Sequence, residues 1–363
     1  MNFLDKRLET VCAALNDGDA LYITDDITRR YLFNFPSTAG IGYITKSKCL
    51  LLLDFRYYER ALCRQKQGEI SKSVTIIEQT ESVASFLKRR IAEDSVRRLY
   101  FEDRRMTQAD FCSLRAQIGD LCELAPMGDR IERCRAVKDE YELARIMQAQ
   151  RITDAAFSYA LSIIRRGMTE RELALELEFF MRKNGADALA FDTICVSGKK
   201  SSMPHGEPED IPIDDGFLTM DFGARFDGYC SDMTRTVCIG TPTDEMRFVY
   251  DTVFAAQKAA IEAARGGIKG KTVDKAARDV INGAGFEGCF GHATGHSLGL
   301  EIHESPNFSP REEQIVPCGA VISVEPGIYL PDKGGVRIED IVFLTENGCK
   351  ILTNSTKEFI IIK

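Results

Sequence analysis

The sequence predicts an α+β protein of two domains, a smaller α/β domain over residues 1–128 and a larger one over 129–363. Three observations lead there. A chain of 363 residues, divided by roughly 150 per domain, is about two domains long. Its first part alternates short β-like runs with helical stretches, the pattern of an α/β layer. Its second part sets long helices with clear start and stop signals among β-like runs that carry isolated charges.

In the first part, Leu21-Tyr22-Ile23-Thr24 and Lys48-Cys49-Leu50-Leu51-Leu52-Leu53-Asp54 read as buried strands, because they are apolar throughout rather than alternating. Asp54-Phe55-Arg56-Tyr57-Tyr58 opens a helix, and Val74-Thr75-Ile76-Ile77 and Leu99-Tyr100-Phe101-Glu102 are further strands. The boundary falls near Ala125-Pro126-Met127-Gly128. Beyond it, Asp139 and Glu142 have capping-box spacing and announce a long helix. Thr169 and Glu172 repeat that spacing for a helix that stops before Asn184-Gly185. A third helix spans 243–265 and ends at Gly266-Gly267, and a fourth covers 272–282. β-like runs occupy 217–223, 229–239, 320–325 and 335–344. There is no internal repeat and no low-complexity tract.

Composition excludes several functions. A net charge of −8 and a pI near 5.3 argue against a duplex nucleic-acid binder and against a polybasic membrane anchor. No apolar run approaches the eighteen or so residues of a membrane span, and the start, Met1-Asn2-Phe3-Leu4-Asp5-Lys6-Arg7, has no signal core. The twelve cysteines include no C-x-x-C pair, so a thiolate zinc site or an iron–sulfur cluster is not expected. They read as reduced residues of a cytoplasmic protein. Gly266-Gly267-Ile268-Lys269-Gly270-Lys271-Thr272 resembles a phosphate-binding loop, but Arg265 stands where the pattern needs glycine, and the stretch follows a helix. It reads as a helix-to-helix turn.

The chemistry gathers in three places. First, Asp227-Gly228 between two β-like runs is a two-residue hairpin signal. Facing residues then sum to 455, Asp232 faces Gly223, and Asp221 shares its face as a diagonal neighbour, roughly 7–8 Å away. Two inward carboxylates at that spacing repel unless a cation lies between them. The plain alternative, a solvated acidic hairpin, does not explain two Asp set among Phe, Met, Val and Cys. Second, three of the four histidines, His292, His296 and His303, fall within twelve residues, flanked by Gly291, Gly295 and Gly299; the fourth is His205. Those glycines and Pro306 make a helical zinc motif improbable. Third, Glu325 ends an apolar run, and Arg337 and Glu339 share one face of another. An ordinary Arg337–Glu339 ion pair is the plain reading of the latter, but a Glu inside an apolar strand is expensive to bury without a partner or a metal. Asp221, Asp232, His296, Glu325 and Glu339 make an oxygen-rich, thiol-free ligand set, suited to Mn²⁺, Co²⁺ or Fe²⁺. Four carboxylates balance two divalent ions, which together polarise a carbonyl and activate water.

These residues carry a family resemblance. Phe191-Asp192-Thr193-Ile194-Cys195-Val196-Ser197-Gly198, Pro204-His205-Gly206, Met220-Asp221-Phe222-Gly223 and Gly228-Tyr229-Cys230-Ser231-Asp232-Met233-Thr234-Arg235-Thr236 are similar to the Xaa-Pro aminopeptidase and prolidase family. So are Gly295-His296-Ser297-Leu298-Gly299-Leu300-Glu301-Ile302-His303-Glu304, Glu325-Pro326-Gly327-Ile328-Tyr329 and Val336-Arg337-Ile338-Glu339-Asp340. The motifs run from about residue 130 to the end; before that, only length and α/β character match. The resemblance implies a pita-bread catalytic domain behind an α/β N-terminal domain, acting on Xaa-Pro bonds in peptides or dipeptides, and a homodimer. It places two divalent ions per subunit, Mn²⁺ foremost with Co²⁺, Fe²⁺ or Zn²⁺ as alternatives, on the five ligand residues. Asp232 and Glu339 would bridge, and Glu325 would also serve as general base. His205 and His303 match substrate-side histidines, His292 a further substrate contact, and Arg337 an arginine behind the metals. Ser297 stands where many relatives have glycine, a change in pocket shape rather than in the ligand set.

Two other readings compete. A creatinase-like hydrolase on the same fold needs no metal, so metal analysis separates it; a methionine aminopeptidase usually lacks a full N-terminal domain. A non-catalytic binding protein of this fold typically loses ligands, and none of the five is missing.

Overall fold

The computed structural model describes residues 3–363, which divide into two compact units after Arg135.

The first unit contains α1 (Phe3–Ala13), β1 (Asp19–Ile23), α2 (Asp26–Phe33), β2 (Ile41–Thr45), β3 (Cys49–Leu53), α3 (Phe55–Lys66), β4 (Val74–Glu78), α4 (Val83–Glu93), β5 (Arg98–Phe101), α5 (Gln108–Ile118), β6 (Glu123–Pro126) and α6 (Arg130–Ala136). Its strands form one mixed sheet in the order β4-β3-β2-β1-β5-β6. The central strands β1, β2 and β3 are buried along their whole length, which is why the sequence shows them as continuous apolar runs. One face packs Tyr43, Leu50 and Leu52 against Phe86, Leu87 and Ile91 of α4 and Leu114 of α5. Ala125-Pro126, read as the domain boundary, forms the end of edge strand β6, a place where a residue without N–H is tolerated. Helix α6 follows, with the Arg130 guanidinium 4.1 Å from the centre of the Tyr100 ring.

The second unit contains α7 (Glu140–Ile163), α8 (Glu170–Lys183), β7 (Ala188–Leu189), β8 (Ile194–Ser197), a 3₁₀ turn (Gly198–Ser202), β9 (Gly216–Phe222), β10 (Ala224–Phe226), β11 (Tyr229–Cys230) and β12 (Met233–Ile239). It continues through α9 (Asp244–Ala263), β13 (Ile268–Lys269), α10 (Gly270–Gly283), β14 (Gly295–Ser297), β15 (Glu304–Phe308), β16 (Ile315–Val316) and β17 (Val321–Val324). The last strands are β18 (Gly327–Leu330), β19 (Gly334–Arg337), β20 (Asp340–Thr345), β21 (Gly348–Ile351) and β22 (Ile361–Ile362). Both expected capping boxes form, at Asp139/Glu142 and Thr169/Glu172, and start α7 and α8.

The two largest sheets of this unit are each backed by a helix pair. The sheet β22-β12-β9-β8 packs Met220, Phe222 and Val237 against Phe157 of α7 and Leu173 and Leu177 of α8. The sheet β15-β14-β17-β20-β21 packs Ile322, Val324 and Val342 against Val253 of α9 and Val273 and Ala277 of α10. The two halves of the unit are stitched by Glu339 N donating to Thr234 O at 3.1 Å, Thr236 Oγ1 to Arg337 O at 3.0 Å and Cys230 N to Gly299 O at 2.7 Å.

Two sequence expectations change here. The run 335–344 is not one strand: it breaks at Ile338-Glu339 into β19, paired with β18, and β20, paired with β17 and β21. The loop-like glycine stretch at 266–272 is not a bare turn between helices, because Ile268–Lys269 pairs with β16 before α10 begins at Gly270. No helix among the described residues is long and apolar enough to cross a membrane.

Candidate metal centre

The hairpin register is the one read from the Asp-Gly turn. Arg225 faces Cys230 and Phe226 faces Tyr229, while Asp227 and Gly228 take the left-handed φ values of +45° and +78° that such a turn requires. The same register resumes in β9 and β12, where Phe222 faces Met233 and Asp221 faces Thr234. Between the two ladders, β10 and β11 join β7 in a separate sheet, and Asp232 sits at that break.

The other three residues of the set come from the opposite sheet. His296 is the middle of β14, where its backbone N–H donates to Ser323 Oγ at 3.0 Å. Gly295 is required beside it, because a Cβ there would lie 1.8 Å from Ser323 O. Glu325 follows β17, and its N–H donates to Thr294 O at 2.8 Å. Glu339 occupies the break between β19 and β20. That break turns its carboxylate toward β12, where Thr234 Oγ1 donates to Glu339 Oε2 at 2.7 Å.

One cavity of about 360 Å³ is lined by all five, and by His205, His292, His303 and Arg337. Ligand atoms of Asp232, His296 and Glu339 lie within 4.8 Å of one another. His296 Nε2 is 3.4 Å from both Asp232 Oδ2 and Glu325 Oε1. Its Nδ1 lies 3.2 Å from Ser297 O, a contact that places the ring proton there and leaves the Nε2 lone pair facing two carboxylates.

Asp232 and Glu339 are only 4% and 1% exposed, so their charge is not solvated away. Burial first, then Glu339 and Asp221, pushes the Asp232 carboxyl well above its usual range. Burial first, then Glu325 and Asp221, does the same to Glu339. Burial raises Glu325 to about 7 and lowers His296 below the usual imidazole value. Asp221 Oδ1 and Glu339 Oε1 are buried without a hydrogen-bond partner. Orphaned carboxylate oxygens, an imidazole nitrogen with its lone pair free and clustered buried acids together fit a divalent cation.

Arg337 is the cation that the chain itself supplies. It pairs with Asp221 at 2.6 Å, not with Glu339 as an ordinary strand pair would, because the break at 338–339 removes the shared face. Its Nε donates to Thr234 Oγ1 at 3.0 Å and its Nη1 to Tyr329 OH at 2.9 Å. His292 completes that chain: Nε2 meets Tyr329 OH at 2.7 Å and Nδ1 meets Ala293 O at 2.8 Å. Both of its nitrogens are thus engaged within the protein, and burial, reinforced by Arg337, lowers its pKa to about 4. His303 stacks edge-on against His296, ring centres 4.5 Å apart, and burial lowers its pKa too, with His296 and His205 adding to the effect. His205 is exposed at the cavity edge.

Sequence reasoning overlooked Thr234, Ser323 and Tyr329. Thr234 was findable, since it follows Asp232 by two and therefore shares its face. Ser323, whose Oγ donates to Glu325 Oε1 at 3.1 Å, has the same two-residue relation to Glu325. Tyr329 stood within the motif Glu325-Pro326-Gly327-Ile328-Tyr329, but no spacing tied its hydroxyl to the site.

Comparison with known proteins decides the family. The profile of metallopeptidase family M24 matches residues 144–346, more than half of the chain. The chain belongs to metallopeptidase family M24. The creatinase/prolidase N-terminal domain profile matches residues 6–137 of this M24 peptidase. It is 42% identical to the uncharacterised peptidase YqhT of Bacillus subtilis over 95% of this chain and 96% of that one. It is 44% identical to an Xaa-Pro dipeptidase of Pyrococcus furiosus over 66% of this chain and 69% of that one. Among solved structures, it is similar to an Xaa-Pro dipeptidase from Bacillus anthracis, with a TM-score of 0.93 and 36% identity over 99% of this chain and all of that one. It also resembles an X-Pro aminopeptidase from Thermotoga maritima, with a TM-score of 0.90 and 36% identity over 98% of this chain and all of that one. The pita-bread domain behind an α/β N-terminal domain is therefore the fold of this M24 peptidase, a hydrolase of a family that uses divalent metal ions.

Proposed function

We propose that this M24 peptidase hydrolyses the Xaa-Pro bond at the N-terminus of peptides or in Xaa-Pro dipeptides. The observation that carries the reading is the buried cluster of Asp232, Glu339, Glu325 and His296 at the floor of a cavity of peptide size. The Xaa-Pro activity named for similar proteins supports it.

Asp221, Asp232, His296, Glu325 and Glu339 would hold two divalent ions, with Mn²⁺ preferred by the oxygen-rich donor set and Co²⁺, Fe²⁺ or Zn²⁺ tolerated. Bound there, such ions supply Lewis acidity toward a carbonyl and lower the pKa of water. Glu325 accepts the proton of the attacking water, steadied by Ser323 Oγ, and returns it to the proline nitrogen as the C–N bond breaks. His205 and His303 orient the scissile amide. Arg337, fixed by Asp221, Thr234 and Tyr329, stands behind the carboxylates and keeps Asp221 aimed. His292 acts through its ring and through Tyr329, since neither nitrogen is free. A proline nitrogen carries no N–H, so selection rests on ring shape. Phe191, Ile194, Pro204 and Ile302 provide the apolar wall for that ring. We read the enzyme as a cytoplasmic protein and as a homodimer, and light scattering of the purified protein would check the dimer.

The test is direct. Protein stripped with a chelator and reloaded with Mn²⁺ should cleave Ala-Pro or Ala-Pro-Ala after alanine, and the stripped protein should not. Metal-loaded protein that cleaves neither peptide contradicts the reading.

A further inference from the structure

The cavity does not end at His205. A second recess of about 600 Å³ begins there, and Asp192, Ile194 and His205 line both. It runs along the outer flank of α8, with Ala174 and Leu175 as its apolar side, and Leu175 is 57% exposed. Thr193 stands in its wall, 5% exposed, with an Oγ1 that has no hydrogen-bond partner, whereas a buried hydroxyl ordinarily finds one. Three carboxylates, Glu178, Asp192 and Glu207, also border it. Arg171, the one Lys or Arg bordering it among the described residues, is paired with Asp210 at 3.2 Å, so the recess carries surplus negative charge.

We infer that this recess receives the part of a longer substrate that continues beyond the proline. The enzyme then acts on peptides of three or more residues and favours a cationic side chain just after the proline. The inference rests on the Xaa-Pro reading above. An exopeptidase that releases one N-terminal residue needs closed space for that residue and open-ended room on the other side of the scissile bond. The recess adjoins the cavity and is open along α8, which suits the open-ended side. Leu175, Ala174 and Ile194 give the chain an apolar support. Glu178, Asp192 and Glu207 attract Lys or Arg and repel Asp or Glu.

The experiment uses Mn²⁺-reloaded enzyme and three substrates: Ala-Pro, Ala-Pro-Arg-Ala and Ala-Pro-Glu-Ala. Both tetrapeptides should be cleaved after alanine, the Arg form with kcat/KM about fivefold above the Glu form at low salt. That ratio should shrink to about twofold in roughly 0.5 M salt, because exposed charges are screened. Leu175→Lys should lower kcat/KM for the Arg tetrapeptide about fivefold, by placing a like charge in the recess, and leave Ala-Pro within about twofold. Phe179→Lys, on the same helix but outside the recess, should change none of the three. Cleavage of Ala-Pro with refusal of both tetrapeptides overturns the inference. So do equal rates for the two tetrapeptides, or a Leu175→Lys loss shared by Ala-Pro. Failure to cleave any of the three with metal bound removes the Xaa-Pro reading, and this inference with it.

Discussion

The sequence neighbours Thr234-Arg235 and Glu339-Asp340 build two buried charge assemblies of opposite kind. Arg235 and Asp340 pair at 2.8 Å, both side chains almost fully buried. Lys357 adds a second cation at 2.5 Å from Asp340, Gln257 Nε2 donates to it at 2.9 Å, and Arg235 caps the carbonyls of Ser355 and Thr356. The one carboxylate there has its counter-charge within the chain twice over. One residue back, Glu339 and Thr234 belong to the carboxylate cluster, where Arg337 is the cation facing Asp221 and an oxygen of Glu339 remains without a partner. The chain neutralises one buried carboxylate completely and leaves its sequence neighbour open, the contrast expected if a bound metal supplies the charge for the second. The first assembly is closed within the chain, and the second is the metal site of the function proposed above, although the same strands carry both.

Substitutions break or sharpen that contrast. The largest effect falls on activity. Asp232→Asn should lower kcat on Ala-Pro by about 10³-fold or more, read by steady-state kinetics at saturating Mn²⁺. In the chelated protein the same substitution should leave the urea midpoint unchanged or raise it, because it removes an uncompensated buried charge. A clear loss of midpoint would make the two assemblies alike. Next, Asp340→Ala strands Arg235 and should cost about 3–5 kcal/mol of stability in urea unfolding, without the kinetic loss of Asp232→Asn per folded molecule. Third, Mn²⁺ at about 100 times its dissociation constant should stabilise the wild-type protein by about 2.7 kcal/mol for each ion bound, and Asp232→Asn should forfeit most of that gain. Smallest, Thr234→Val removes the hydroxyl that serves both Glu339 and Arg337. It should weaken Mn²⁺ affinity about 10- to 100-fold with Thr234→Ser as the rescue, read by metal titration.

What the sequence disclosed, and what it did not, follows the range of the forces. The hairpin around Asp227-Gly228 was legible residue by residue, because a two-residue turn fixes register and alternation fixes faces. The helices starting at Glu140 and Glu170 were legible from their capping boxes. The partner of Arg337 was not, since Asp221 lies 116 residues away and the local pattern offered Glu339 instead. The same break that misleads the strand reading at 338–339 is what turns Glu339 into the site. Short strands such as Gly295–Ser297 and Ile268–Lys269 escaped notice because glycine-rich sequence carries no period, and tertiary pairing alone makes them strands. The recess along α8 was invisible for a related reason: an exposed Leu175 means nothing until the fold sets it beside His205.

The central claim is that the carboxylate cluster is a divalent-cation site that the chain leaves uncompensated. Equilibrium dialysis of chelator-stripped protein against Mn²⁺ tests it most directly. The wild-type protein should bind two ions per chain, Asp232→Asn should bind fewer than one, and Asp340→Asn, if folded, should still bind two. A wild-type protein that binds no Mn²⁺, Co²⁺, Fe²⁺ or Zn²⁺, or an Asp232→Asn protein that binds as much as wild type, would contradict it.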